Sequence, residues 1–182
     1  MADLIGPKTL YLGFCGMIDS DAVGKIAGAF NQAVNDMFDT VHLTFTSPGR
    51  NASDGVFLYH HIRALPLETV MHNSGMVASV ATTIYAAADR RTACDHSIFM
   101  IHPIQASANG AHATMRSTMD MIEFEENRID EILKERTAIP EKVLSDRRNG
   151  DVFFTTKKAL EYGLAHDVAT FTLPPGNKIF HL

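Results

Sequence analysis

The sequence has little cysteine, a deficit of positive charge and no long apolar run, and each shortage excludes something. Two cysteines, Cys15 and Cys94, occur in 182 residues and form no CxxC pair. That is too few for a disulfide scaffold and fits a reducing compartment. Lys and Arg number 16 against 21 Asp and Glu, a formal charge of -5. The chain therefore lacks the basic surface of a general nucleic-acid binder. The longest small and apolar stretch, Val77 to Ala88, contains Ser79, Thr82 and Thr83 and is too short to span a bilayer. The opening Met1-Ala2-Asp3-Leu4 lacks the basic region of a signal peptide. There is no HExxH and no GxxxxGK(S/T), and His60 and His61 are adjacent on an expected helix, so they point to different faces. The expectation is a cytoplasmic chain with no metal, no cofactor, no membrane and no nucleic-acid partner. With 46% hydrophobic and 20% charged residues, it has the makeup of one globular domain with a real core.

What is present alternates. Thr9 to Phe14 predicts a strand, and Asp19-Ser20-Asp21 supplies caps for a helix with Val23, Ile26, Ala27, Phe30, Val34 and Met37 on one stripe. Thr40 to Thr46 predicts a strand stopped by Ser47-Pro48-Gly49, and Ser53 to Ala64 a helix. A strand from Glu68 to His72 should end at Asn73-Ser74-Gly75, and a buried helix should run from Ser79 to Ala88. Thr92-Ala93 and Ile98 to Ile101 read as short strands, and Val168 to Leu173 as the last one. Thr155 or Thr156 is expected to cap a helix closed by Gly163, and the tail from Pro174 is expected to be irregular. Strands alternating with helices imply an α/β fold with mostly parallel pairing.

The run from Ala111 to Arg136 is the odd element. As one helix it would be about 39 Å long, more than a small domain needs, so it either wraps the domain or, the favoured expectation, projects and packs on a partner. Met115, Met119 and Met121 read as packing residues, and Glu123, Glu125 and Glu126 as a solvated face.

Three polar residues sit at the ends of regular elements. Ser79 follows Gly75-Met76-Val77-Ala78 where a strand gives way to a helix. A serine there caps the helix, or acts as a nucleophile beside free N–H groups that stabilise an oxyanion. The segment is not the GxSxG elbow. His102 ends an apolar strand just before Pro103, and Asp151 precedes Val152-Phe153-Phe154. Alone, each of these has an ordinary structural use; together they are the residue types of a Ser-His-Asp triad.

Four stretches occur in a telling order: Thr46-Ser47-Pro48-Gly49, Gly75-Met76-Val77-Ala78-Ser79, Met100-Ile101-His102-Pro103, and Asp151-Val152-Phe153-Phe154 followed by Ala159-Leu160-Glu161-Tyr162-Gly163-Leu164. In these the chain resembles the proteolytic subunit of the Clp protease, peptidase family S14 of the Clp/crotonase superfamily, from about Thr9 to Val168. The resemblance implies a single Clp-protease-like domain over 1–182 built of repeated ββα units, with a short N-terminal segment at 1–8, a handle helix at 111–136 that mediates oligomerisation, and a C-terminal tail at 174–182. It implies a serine endopeptidase with Ser79 as nucleophile, His102 as base and Asp151 as orienting acid. The oxyanion hole would use the backbone N–H groups of Arg50 and Val80, and Gly49 and Gln105 would bind substrate. Peptides or unfolded proteins would be cleaved inside a homo-oligomer of stacked rings.

The chain departs from the family pattern at three places. Arg50 stands where the family has a second glycine, which disfavours the residue if its φ is positive. Gln105 to Gly110 is less glycine-rich than the family's stretch. The N-terminal segment is short, which argues against docking to a Clp-type ATPase. Two other readings stay open: a non-catalytic ring subunit, and a crotonase-like acyl-CoA enzyme.

Overall fold

A computed structural model describes residues 7–182; the expected N-terminal segment lies, for residues 1–6, outside them. In chain order the elements are β1 (Thr9–Cys15), α1 (Ser20–Asn35), β2 (Thr40–Ser47), α2 (Ala52–Ala64), β3 (Glu68–Ala78), α3 (Ala81–Ala87), β4 (Arg90–Ala93), β5 (Ile98–Ile101), α4 (His112–Arg136), α5 (Glu141–Arg147), β6 (Val152–Thr155), α6 (Thr156–Glu161), β7 (Asp167–Val168) and β8 (Ile179–His181). The strands form one sheet in the order β6-β5-β3-β2-β1-β8, with β4 pairing both β3 and β7. Every ladder is parallel except β5 with β6. This is a mixed α/β architecture, as the alternation of strands and helices predicts.

Helix α1 starts where Asp19 accepts the amide of Ala22 at 3.1 Å. It buries Ala22, Ile26, Phe30 and Ala33, and the sheet answers with Leu12, Val41, Leu43, Phe45 and Met71 in the same apolar cluster. Arg91, 3% exposed, donates to the carbonyls of Ala88 and Leu164, each at 2.9 Å, and so ties the end of α3 to the chain beyond α6.

Strand β3 does not stop at Asn73-Ser74-Gly75 as its turn-forming residues predict. Its first half pairs with β4 and its second half with β5. At the changeover the fully buried Asn73 donates to Ile98 O at 3.1 Å and accepts the amide of Gly75 at 3.0 Å. The asparagine thus makes its turn-like bond inside the strand, and the register with β2 shifts between Phe45 and Ser47.

Three further expectations change. The last strand, expected from Val168 to Leu173, is only Asp167–Val168. The tail is not wholly irregular: β8 adds to β1 in parallel. Gly13 permits this, because a Cβ there would lie 2.8 Å from His181 Nδ1. The apolar pair Phe153-Phe154 belongs to β6, a strand the sequence reading did not foresee.

Helix α4 is 25 residues long. Its second half buries Ile129, Ile132 and Leu133. In its first half Met115, Met119, Met121 and Phe124 are exposed, so the packing expected of these methionines is at most partial within the described chain. Of the acidic run, Glu123 is exposed as expected, but Glu126 is 5% exposed and pairs with the buried Arg147, and Glu125 pairs with Arg128. Among the described residues, no helix is long and apolar enough to cross a membrane.

Candidate active site

The centre of the site is a turn between β3 and α3. Ser79 sits there with φ 57, a left-handed conformation that costs a non-glycine residue about 1–2 kcal/mol. Neighbouring bonds hold it in place. Its amide donates to Met100 O at 2.8 Å, and its carbonyl accepts the amide and the hydroxyl of Thr82 at 3.0 and 2.7 Å. The Thr83 hydroxyl donates to Val80 O at 2.6 Å. Helix α3 begins after Val80 with no side-chain cap. The structure therefore removes the capping use of Ser79: its side chain is not spent on the helix.

The Ser47-Pro48-Gly49-Arg50 loop lies directly on this turn. Gly49 has φ 84, and a Cβ there would come within 2.8 Å of Ala78 O and 3.2 Å of Ser79 Oγ. Its amide donates to Ser47 Oγ at 3.0 Å. The next residue is held on both sides, by Ile18 N to Gly49 O at 2.9 Å and Asn51 N to Ile18 O at 3.1 Å. Arg50 is thereby fixed at φ 150, a region that favours glycine. Its guanidinium reaches Asp19 at 3.1 Å, an exposed pair. Among the described residues, the backbone N–H groups of Arg50 and Val80 take part in no hydrogen bond. They are two free donors, one in the loop that lies on the turn and one directly after the serine.

A cavity of about 510 Å³ opens here, lined by Ser79, Val80, Arg50, His102 and Gln105 among others. Five of the residues singled out by sequence thus share one cavity, and Gly49 lies against Ser79 without lining it. His102 follows the last residue of β5. Asp151 precedes β6, and the antiparallel register pairs Ile101 with Val152; continued by one residue, it sets Asp151 across from His102. The Asp151 side chain is exposed and does not line the cavity. Among the described residues, no side-chain hydrogen bond joins His102 to Ser79 or to Asp151, whereas the His102 carbonyl accepts from Arg147 at 3.0 Å.

The sequence reading missed one charged residue of the cavity wall. Glu125 lines it and accepts Arg128 Nε at 2.6 Å and the Ser53 hydroxyl at 3.1 Å. The Glu125 and Arg128 spacing of three on a helix was the available signal. It places a paired, not a free, carboxylate at the edge of the cavity.

The Clp protease family model matches residues 18–172. Proteolytic subunit 2 of the ATP-dependent Clp protease of Pseudomonas aeruginosa is 29% identical over 133 residues, 71% of this chain and 66% of that one. Subunit 1 of Streptomyces avermitilis is 25% identical over 170 residues, 92% of this chain and 77% of that one. Among solved structures, a ClpP1 variant from Listeria monocytogenes superposes with a TM-score of 0.75 at 20% identity, covering 89% of this chain and 91% of that one. The matched span includes the serine turn, the loop that lies on it and the strands that bring His102 and Asp151 alongside, and this chain belongs to the Clp protease family of serine endopeptidases, peptidase family S14.

Proposed function

We propose that the chain cleaves peptide bonds by acyl transfer, with Ser79 as nucleophile, His102 as general base and Asp151 as the acid that orients the imidazole. The observation that carries this reading is the Ser79 turn. A serine is held at φ 57 at the edge of a cavity that His102 also lines, and two backbone donors beside it are unspent. Ser79 Oγ attacks the substrate carbonyl as His102 accepts its proton, and the carbonyl oxygen, now negative, meets the N–H groups of Arg50 and Val80. The C–N bond breaks with the proton passing from His102 to the leaving amine. Water, activated by the same histidine, then releases the acyl group. Gly49 and Gln105 flank the peptide.

The single domain over 1–182 is read as one subunit of a cytoplasmic homo-oligomer of stacked rings. The exposed Met115, Met119, Met121 and Phe124 of α4 support this, as a face that a second copy would cover. Peptides or unfolded proteins are the substrates, and short peptides reach the cavity without an ATPase.

Fluorophosphonate labelling tests the reading. The wild-type protein should be labelled at Ser79 and should hydrolyse a short fluorogenic peptide without nucleotide, and Ser79→Ala should do neither. Absence of labelling in a folded wild-type assembly overturns it. A second reading, a non-catalytic ring subunit, is favoured by Arg50 at φ 150 and by the exposed Asp151. Native mass spectrometry after co-expression with an active Clp subunit separates the two: mixed rings with an unlabelled Ser79 would support the second.

A further inference from the structure

We infer that Arg147 and Glu126 are positioning residues for the reaction, a two-point clamp that fixes His102 from below and ties it to α4. This rests on the reading of His102 as the base. Arg147 is 1% exposed and heads the largest fully buried side chains of the protein. Burying a guanidinium carries a heavy desolvation penalty unless its N–H groups are met. Here Nε donates to Asp130 Oδ1 at 2.8 Å, Nη2 to Glu126 O at 3.0 Å and Nη1 to His102 O at 3.0 Å. Nη1 also lies 2.5 Å from Glu126 Oε2, a contact of charge without hydrogen-bond geometry. Arg148 completes the balance of two cations and two carboxylates by pairing with Asp130 Oδ2 at 2.5 Å.

An ion network that only stapled α5 to α4 would end at Asp130. This one continues to the segment after β5. Glu126 Oε1 accepts the amide of Ile104 at 2.5 Å, while Arg147 donates to the carbonyl of His102. Pro103 between them has a fixed φ and no N–H. The two bonds therefore take the His102 carbonyl and the Ile104 amide, the polar backbone groups on either side of the proline. Where Ser79, His102, Ile104 and Arg147 meet, the packing leaves only about 10 Å³, so little slack separates the clamp from the serine turn. The charge runs through α4: Glu126 and Asp130 stand one turn apart on it, so a displacement of α4 displaces Ile104 and, through it, the histidine.

The test compares Glu126→Met, which removes the acceptor for Ile104, with Glu126→Gln, which keeps one, and with Arg147→Lys. Leu144→Ala serves as the control, since Leu144 is a buried residue of α5 outside the clamp. Each variant is read by kcat and KM on a short peptide, by the rate of fluorophosphonate labelling and by Tm. Glu126→Met should lower kcat by about 10- to 100-fold, as expected when a reacting group is misplaced by a fraction of an ångström to an ångström, with KM nearly unchanged. Glu126→Gln should restore most of the loss, and Arg147→Lys should fall between. Leu144→Ala should lower Tm without a comparable fall in kcat. Equal losses in Glu126→Met and Glu126→Gln, or losses that follow Tm on one line with Leu144→Ala, overturn the inference. His102→Ala separates the two levels. Labelling retained in His102→Ala overturns the reading of the site and the clamp with it. Labelling lost in His102→Ala but unaffected in the clamp variants overturns the clamp alone.

Discussion

Gly49 lies so close to Ser79 that a β-carbon at position 49 would come within 2.7 Å of the serine's own Cβ. Both positions have positive φ, 84 and 57, so the loop and the turn fit together only in their unusual conformations. Gly49→Ala adds both a clash and an unfavourable φ, and should destabilise the fold by about 1–3 kcal/mol. Labelling of Ser79 should fall more steeply than stability, because the clash is resolved by moving the serine turn. A thermal melt and a labelling time course on the same preparation check this.

The turn itself stores strain. Ser79→Ala and Ser79→Gly both remove the hydroxyl and should both be inactive, but they should differ in stability. Glycine adopts φ 57 without the Cβ penalty, so Ser79→Gly should be the more stable of the two by about 1 kcal/mol. Denaturant titration of the two variants measures the difference, and an advantage for alanine would mean the turn is not strained.

Arg50 occupies a backbone position that suits glycine. Its ion pair with Asp19 is exposed on both sides, 61% and 40%, and such pairs contribute little. Arg50→Gly should therefore keep stability within about 1 kcal/mol, free the cavity wall of a large side chain and raise kcat/KM, most for substrates with bulky residues beside the scissile bond. Steady-state assays on a graded set of peptides read the effect.

Three histidines are held neutral. Burial, aided by His72 and Arg90, pushes His42 down to about 4, and its ring lies edge-on to Phe171 with centroids 5.1 Å apart. Burial also lowers His72 and His166, and His166 Nδ1 accepts the Arg91 amide at 3.2 Å, which requires an unprotonated nitrogen. A histidine with a depressed folded pKa binds its proton more readily when unfolded. It contributes stability above the unfolded value of about 6.5, and that contribution is lost as pH falls toward the folded value. Tm should accordingly drop between about pH 6.5 and pH 4, and His42→Leu should flatten the drop. Melts of the two proteins across that range test it, and parallel curves would exclude His42 as a contributor.

Much of the site was legible because its residues are local punctuation. Ser79 after Ala78, Ser47 to Gly49, and His102 before Pro103 mark element ends, and the sheet gathers those ends at one rim. Asp151 was legible as a residue but not as a geometry, since its side-chain direction depends on β6, an element hidden inside an apolar pair. What escaped the reading depends on distant partners. Asn73-Ser74-Gly75 has the composition of a turn, and only the neighbouring β4 and β5 make it a strand. Ile179 to His181 becomes β8 because Gly13, far away in sequence, leaves room for His181. Glu126 sits in an acidic run that looks solvated, and its burial follows from Arg147 on another helix. Local composition carries no trace of such pairings.

Strand β3 changes partners partway along, and the second partner supplies the carbonyl of Met100 that holds the Ser79 amide. That carbonyl is encoded after the serine. A nascent chain therefore carries the serine before it carries the strand that shapes the turn around it. The strained conformation belongs to the completed sheet, and newly made protein acquires this corner only when β5 has docked.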